Sequence, residues 1–298
     1  MPLVVTRAQA IGGGRSATEV DALVRSGRWV ALRRSVYLTQ PELPVSPAAR
    51  HAVLVTAAVL ACGVPAVGSH ASAAVVHGLP LLVPPPELPV LTRRRTAGLA
   101  SSARRGARLV SAVPDGDVCT VLGAAITTVA RTAVDLARTG SEVGAVVVLD
   151  AALRRVPRHE LERVLDAAAG WPGSARARRR LAFADGLAES ALESLGRLRL
   201  AQQGLPAPLL QVVVGGEAGP VGRVDYLWPE QRTVGEADGR LKYDDPGRLW
   251  AEKRREDALR DAGFEVFRFT WAEALNQPEV LRDRALRAFA RAAARRAS

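Results

Sequence analysis

Residues 223–239 read RVDYLWPEQRTVGEADG, and this stretch decides the fold of the second half of the chain. It contains two runs typical of β-strands, Arg223–Trp228 and Thr233–Asp238. The loop between them, Pro229–Arg232, has four residues, a length that is typical of a β-hairpin. The sequence therefore predicts two antiparallel strands that pair from the loop outward.

The two strands of this hairpin carry three acidic residues, Asp225, Glu236 and Asp238. When Trp228 faces Thr233, the register places Asp225 directly opposite Glu236. Side chains alternate between the two faces of a strand, so Asp238 lies on the same face as Glu236. Like charges directly opposite each other destabilise a sheet, and this arrangement therefore calls for a cation or for basic groups nearby.

Carboxylate oxygens without a cysteine or a histidine suit a hard cation, so these three acids predict a site for Mg²⁺ or Mn²⁺. Glu193, in the helix predicted before the hairpin, offers a fourth carboxylate. Lys242 is placed to stabilise a developing negative charge or to orient a water, and Arg240 to bind a phosphate. The alternative is a cluster of ion pairs without a metal, in which the acids are balanced by Arg223, Arg240, Lys242 and Lys253.

The elements around the hairpin follow the order helix, three strands, helix, strand. Their predicted bounds are Leu187–Gln202, Leu209–Val214, Arg223–Trp228, Thr233–Asp238, Arg248–Ala262 and Phe264–Phe269.

A resemblance to a known family covers about Ala188 to Leu275. It is carried by Glu193, Val224-Asp225-Tyr226, Glu236-Ala237-Asp238-Gly239, Glu252-Lys253-Arg254-Arg255 and Arg268-Phe269-Thr270-Trp271. On these residues the segment resembles the PD-(D/E)XK nuclease superfamily, most closely its branch of very-short-patch repair endonucleases. The resemblance implies a restriction-endonuclease-like αβββαβ domain with a metal at Asp225 and Glu236. Asp238 stands where many relatives carry lysine, so either Lys242 replaces that lysine or the site binds metal without cutting.

The N-terminus contains the parts of a winged helix-turn-helix. A short helix over Thr6–Ile11 is followed by three glycines and by a helix that a capping box of Ser16 and Glu19 opens. Two short strands, Trp29–Leu32 and Val36–Thr39, complete the unit. In such a unit the second helix enters the major groove of DNA and the hairpin meets the backbone.

Five arginines of this unit are predicted to contact phosphates: Arg15, Arg25, Arg28, Arg33 and Arg34. Glu19 and Asp21 oppose this function, because acids in a recognition helix repel phosphates. The alternative is an interaction module that does not bind DNA. A further basic cluster follows later in the chain, Arg93, Arg94 and Arg95, for which DNA contact and a solvated loop are the two interpretations.

A second resemblance covers residues 1 to about 165. It is carried by Thr6-Arg7-Ala8-Gln9-Ala10, Gly27-Arg28-Trp29 through Val36-Tyr37, Ser69-His70-Ala71-Ser72-Ala73-Ala74, His77-Gly78-Leu79-Pro80 and Ala130-Arg131-Thr132-Ala133-Val134-Asp135. On these motifs the region resembles AbiEi-type antitoxins and transcriptional regulators. The resemblance implies DNA binding and autoregulation, with a cognate toxin protein as partner.

The predicted organisation is a multidomain α/β protein. A winged helix-turn-helix over residues 1–40 precedes a mixed α+β region over 41–170, and residues 171–180 form a linker. Residues 181–298 form the nuclease-like domain. The linker is inferred from Trp171, Pro172 and Gly173 followed by four arginines.

The charge is distributed unevenly along the chain. The formal net charge is +11, and residues 1–180 alone hold 23 arginines against 12 acidic residues, whereas the remainder is balanced. A basic first part indicates a polyanionic partner, double-stranded DNA first of all. The alternative is that arginine richness reflects genome composition.

Composition excludes several other classes. No apolar run reaches the roughly 20 residues of a membrane span, and the first residues do not form a secretory signal. The 2 cysteines and 4 histidines show no CxxC or HExxH spacing, so neither a disulfide framework nor a zinc site is expected. We therefore expect a cytoplasmic protein that does not contact membranes.

The favoured function is a DNA-binding, metal-dependent DNA endonuclease. The alternative is a noncatalytic regulator or type IV antitoxin that uses the nuclease-like fold for binding.

Overall fold

The structure is a computed structural model that describes residues 3–62, 65–93, 102–104, 107–111, 116–216, 219–239 and 246–297. The chain divides into two compact units, Met1–Ala184 and Asp185–Ser298. The described residues form twelve helices and three sheets in a mixed α/β arrangement.

The first unit begins with a small helical and stranded module. Its elements are β1 (Val4–Thr6), α1 (Arg7–Gly12), α2 (Ala17–Arg25), β2 (Val30–Arg33) and β3 (Val36–Leu38), with the strands in the antiparallel order β1-β3-β2. The predicted capping box is confirmed: Glu19 N donates to Ser16 Oγ at 3.1 Å, and Ser16 N donates to Glu19 Oε2 at 2.6 Å. Val20 and Leu23 of α2 pack against Trp29 and Tyr37, and this packing fixes α2 on the hairpin.

The rest of the first unit combines a six-stranded sheet with helices. Its elements are α3 (Pro47–Leu60), β4 (Ala66–Gly68), α4 (His70–His77), β5 (Val90–Arg93), β6 (Ser102–Arg104), β7 (Ala107–Ser111), β8 (Val118–Val121), β9 (Ala124–Thr127), α5 (Val129–Thr139), α6 (Glu142–Leu153), α7 (Arg158–Ala167) and α8 (Ser174–Phe183). The strand order is β6-β7-β5-β4-β9-β8.

The predicted linker over residues 171–180 is wrong, because its second part belongs to helix α8. Ala177 and Leu181 of α8 are buried in the helical core with α5, α6 and α7. Trp171 lies against two arginines of α5, with Arg131 4.9 Å and Arg138 4.8 Å from its ring centroid. The segment is therefore packed into the first unit.

The second unit is built on a four-stranded sheet. Its elements are α9 (Ala191–Gln202), β10 (Leu209–Gly216), β11 (Gly219–Trp228), β12 (Thr233–Asp238), α10 (Pro246–Asp261), β13 (Glu265–Thr270), α11 (Trp271–Asn276) and α12 (Pro278–Ala297). The strand order is β10-β11-β12-β13, in which β12 and β13 are parallel and the other pairs antiparallel. From α9 to β13 the elements follow the sequence predicted above.

The two faces of this sheet differ in character. One face packs aliphatic side chains against Leu259 of α10, among them Leu227 and Val234. The other face carries the rings of Tyr226, Trp228, Phe267, Phe269 and Phe289, with neighbouring centroids 5.5–6.0 Å apart. The sheet is thus covered by an aliphatic layer of side chains on one face and by an aromatic layer on the other.

Candidate functional site

The hairpin of the second unit has the register that the sequence predicts at its loop. Trp228 pairs with Thr233 and Tyr226 pairs with Gly235. The next step of this antiparallel register places Asp225 opposite Glu236. Ala237 N donates to Asp225 Oδ2 at 2.8 Å, which links the Asp225 carboxylate directly to β12.

Gln211 of β10 joins two of the predicted site residues. Its Nε2 donates to Glu193 Oε2 at 2.9 Å and to Asp225 Oδ1 at 3.2 Å. Gln211 also has a φ of +53°, a left-handed conformation that is unusual for a residue with a side chain. No sequence motif marked Gln211, because its role depends on which strand lies beside β11.

Glu193 is held at the start of α9. Its backbone N donates to Ser190 Oγ at 3.1 Å, and its Oε2 accepts from Glu189 N at 2.8 Å. Tyr226 Oη donates to the Glu193 carbonyl at 2.5 Å, so the residue is tied to the sheet as well. Glu193 is 6% exposed, which makes it a buried acid beside a second acid.

Glu236 is paired with Arg255, a residue of the Glu252–Arg255 motif whose pairing with Glu236 the sequence did not predict. Arg255 Nη2 of α10 lies 2.8 Å from Glu236 Oε1. Burial and the charge of Asp225 raise the pKa of Glu236 to about 7, although Arg255 and Arg268 act in the opposite direction. A buried carboxyl group near another acid takes up a proton more readily than in water.

Of the other residues predicted for this site, Asp238 lies two positions after Glu236 on β12, two make other contacts, and two fall outside the described residues. Asp238 is partly buried and pairs with Thr270 of β13. Arg223, proposed as a balancing cation, pairs instead with Glu189 at 2.7 Å. Lys253 lies 5.7 Å from the centroid of the Trp250 ring. Lys242 and Arg240 fall outside the described residues.

The types of ligand at this site favour a metal ion, but their arrangement does not. The side chains offer carboxylate oxygens, which suit Mg²⁺ or Mn²⁺. Within the part of the chain that the structure describes, however, no three acidic, histidine or cysteine groups are arranged to hold an ion. Gln211 donates to Glu193 Oε2 and Asp225 Oδ1, and Arg255 donates to Glu236 Oε1, so a cation at this place would share these carboxylates with both donors.

The N-terminal module exposes most of its predicted DNA contacts. Arg25, Arg28 and Arg34 are exposed, and Arg15 and Arg33 are partly exposed. Arg15 is positioned over the Trp29 ring, with its guanidinium carbon 5.3 Å from the ring centroid.

The two acids of α2 are both engaged within the module. Glu19 accepts the capping hydrogen bond from Ser16, which holds the pKa of Glu19 below its usual range. Asp21 accepts from Arg7 through Nη1 at 2.6 Å and Nη2 at 2.8 Å, and these bonds lower the pKa of Asp21. Arg7 therefore neutralises the acid that sequence reasoning counted against DNA binding.

Only Arg93 of the second basic cluster falls within the described residues. Arg93 is 5% exposed at the end of β5, so its side chain offers little surface to a phosphate here, and DNA contact by the cluster stays a prediction. A run of arginines looks exposed in sequence, but a strand position within the sheet buried this one. Arg94 and Arg95 fall outside the described residues.

The helices were also compared with the length and hydropathy of membrane spans. Among the described residues, no helix is both long enough and apolar enough to cross a membrane.

Residues 66–183 match the family model of the AbiEi antitoxin C-terminal domain.

Comparison with individual proteins gives relatives in Mycobacterium tuberculosis. "Uncharacterized protein MT2308" of strain CDC 1551 / Oshkosh and "Uncharacterized protein Rv2248" of strain ATCC 25618 / H37Rv are each 35% identical over 206 residues, which cover 68% of this chain and 73% of theirs. The crystal structure of RV2827C protein from Mycobacterium tuberculosis aligns with a TM-score of 0.39 and 16% identity, over 72% of this chain and 84% of that one. The chain belongs to one family with the two 35% identical mycobacterial proteins, and its residues 66–183 are similar to the AbiEi antitoxin C-terminal domain.

Proposed function

We propose that the protein is a DNA-binding regulator of the antitoxin type. Its N-terminal module, Val4–Leu38, acts as a winged helix-turn-helix that binds duplex DNA, and a cognate toxin protein is its second partner. The AbiEi domain at residues 66–183 supports the regulatory part of this proposal. The excess of arginine in residues 1–180 supports the DNA-binding part.

The observation that carries the proposal is the ion pair of Arg7 with Asp21. Phosphate attraction supplies much of the affinity of a protein for DNA, and each uncompensated acid at the interface reduces it. Because Asp21 is neutralised by Arg7 and Glu19 is held by Ser16, the acids of α2 are compensated within the module. The exposed arginines of the module then determine the electrostatic potential at its surface.

The test is a binding titration of the full chain with its own promoter DNA and with an unrelated duplex. Affinity should fall steeply as salt rises, because bound phosphates release counterions. Replacing both Arg33 and Arg34 with alanine should weaken binding to both duplexes, since a wing meets mainly backbone. Arg50→Ala, an exposed arginine of α3 outside the module, is the matched control and should bind as the wild type does. If the Arg33/Arg34 variant and Arg50→Ala lose equal DNA affinity, the module does not form the DNA interface.

A second candidate function is metal-dependent cleavage of a phosphodiester bond in the second unit. The observation that favours it is the joining of Glu193 to Asp225 by one amide, with Glu236 as the next acid. In this proposal Asp225, Glu236 and Asp238 hold Mg²⁺ or Mn²⁺, while Glu193 supplies a further carboxylate and Lys242 a positive charge. A bound metal of this kind polarises a phosphoryl oxygen and activates water.

Plasmid DNA incubated with and without Mg²⁺ or Mn²⁺ separates the two functions. Cleavage that requires metal and is lost in Asp225→Asn and Glu236→Gln supports the second candidate. Glu230→Gln, an exposed acid of the hairpin loop, is the control and should cut normally. If the wild type binds DNA and cuts nothing with either metal, the second unit serves binding alone.

A further inference from the structure

A pocket of about 300 Å³ opens beside the edge strand β13 of the second unit. It is lined by Glu256, Val266, Phe267, Arg268, Arg284 and Arg291. Its volume is at the lower end of the roughly 300–1,000 Å³ that small-molecule sites occupy. Three arginines and one glutamate therefore border, beside the buried strand β13, a space large enough for a small ligand.

The ion pairs around this pocket carry more positive than negative charge. Glu256 pairs with Arg260 and Arg268, Glu265 pairs with Arg291 and Arg295, and Glu273 pairs with Arg284. Among the six lining residues, three arginines stand beside one acid, Glu256, an excess of two positive charges that suits a dianion. Glu273 and Glu265, outside the lining, partly offset Arg284 and Arg291.

The guanidiniums are held in place and still reach solvent. Arg284 donates to the Arg268 carbonyl of β13 and, through Nη1, to Glu273 Oε2 at 3.2 Å. The side chains of Arg268, Arg284 and Arg291 are 26%, 35% and 53% exposed. Because their protein partners already restrict them, these side chains lose little conformational entropy when a ligand binds.

We propose that this pocket binds a phosphate monoester of nucleotide size. A phosphate monoester carries about −1.5 to −2 charges at pH 7, and the planar fork of arginine matches its oxygens. Val266 and Phe267 belong to the strand that borders the pocket, and their side chains are buried in the unit, so the three guanidiniums supply the recognition of the ligand. Two sources share this chemistry, a free mononucleotide and the 5′-phosphorylated end of a DNA strand. The proposal requires neither cleavage nor DNA binding by the N-terminal module.

Calorimetric titration of the full chain tests the pocket. The probes are thymidine monophosphate, thymidine, and a short oligothymidylate with and without a 5′-phosphate. The monophosphate should bind and thymidine should not. Arg291→Gln should weaken phosphate binding about tenfold or more, since a charge-assisted hydrogen bond contributes about 1.5–3 kcal/mol.

Arg295→Gln is the matched control. Arg295 lies on the same helix as Arg291, pairs with the same Glu265 and is similarly exposed at 58%, but it is not part of the pocket lining. It should bind the monophosphate within about twofold of the wild type, because exposed charges outside a site act weakly. Circular dichroism should show both variants folded.

The outcomes separate the two sources and can overturn the proposal. Binding of the monophosphate assigns the site to free nucleotides. Binding that requires the 5′-phosphate of the oligonucleotide, with none of the monophosphate, assigns it to strand ends. If Arg291→Gln and Arg295→Gln lose equal affinity for the monophosphate, the binding depends on overall positive charge and not on the pocket, and the proposal is overturned. The absence of any phosphate-dependent binding would overturn it as well.

Discussion

Oδ2 of Asp135 lies 2.7 Å from Nε of Arg131, one turn earlier in α5, and both side chains are almost fully buried, at 2% and 3% exposure. Asp135 also accepts from Arg138 Nη1 at 3.0 Å, and Arg138 Nη2 donates to the Pro172 carbonyl at 3.0 Å. Together with the stacking of Trp171 on both guanidiniums, these bonds connect α5 to the segment before α8.

Asp135→Ala should lower the free energy of unfolding by about 3–5 kcal/mol, because it leaves two buried guanidiniums without their carboxylate. Urea denaturation followed by circular dichroism measures the change. Asp166→Ala, which breaks the exposed pair with Arg178, is the control and should cost about 0–1 kcal/mol. Equal costs would contradict the structural importance of the buried pair.

Arg7 and Asp21 should have opposite effects on DNA affinity. Arg7→Ala leaves the acid of α2 uncompensated and should weaken binding, whereas Asp21→Ala frees a guanidinium and should strengthen it. The double variant should return close to the wild type. Fluorescence anisotropy at low salt measures all three, and two changes in the same direction would refute the role of the pair.

His51 should make the first unit sensitive to acid. Burial lowers the pKa of His51 below 6.5, and its Nε2 lies 2.8 Å from Ser72 Oγ. Below pH 6.5 the unfolded chain binds a proton that the folded chain does not, so stability should fall from pH 6.5 down to the lowered pKa. His51→Gln should show a smaller loss over that window in urea titrations at several pH values. An identical pH dependence in both proteins would exclude His51 as the cause.

Gln211→Ala should destabilise the second unit by about 1–3 kcal/mol, because two neighbouring carboxylates lose a shared donor. If these acids hold a cation, Mg²⁺ or Mn²⁺ should raise the melting temperature of the variant more than that of the wild type. Thermal melts with metal and with a chelator measure both effects. A metal response equal to that of the wild type would count against a cation at this place.

Gly196→Ala should also destabilise the second unit. A Cβ at this position of α9 would lie 2.3 Å from Phe269 Cζ and 2.9 Å from Tyr226 Oη. Overpacking of a core costs about 1–3 kcal/mol, which exceeds the gain of about 1 kcal/mol in helix propensity. Gly170→Ala, where a Cβ meets nothing within 4 Å, is the control and should change stability by less than about 0.5 kcal/mol.

Local patterns in the sequence predict local structure well here. The four-residue loop fixed the pairing of Trp228 with Thr233, and the capping box of Ser16 and Glu19 marked the start of α2. Both features depend on residues a few positions apart. Periodicity and capping chemistry therefore suffice for them.

Features that depend on distant packing were missed. Residues 174–180 look like a basic linker, but Ala177 meets a core formed by three other helices. Gln211 and Arg255 reach the acidic residues only because of which strand and which helix lie beside β11 and β12. A short segment of sequence determines neither how a helix is rotated about its axis nor in which order the strands lie in a sheet.

The aromatic layer of the second sheet has a consequence for how its acids can vary. A slip of one residue between β11 and β12 would turn Glu236 toward the rings of Trp228 and Phe267, where a carboxylate finds no partner among those hydrocarbons. The rings thus help to keep the two strands in alignment, and Asp225 adds to this through the hydrogen bond from Ala237 N. The Glu236 carboxylate bonds instead to Arg255 of α10. The acid at position 236 can therefore be exchanged without loss of that link between the strands, so the chemistry at this position can change on an unchanged strand alignment.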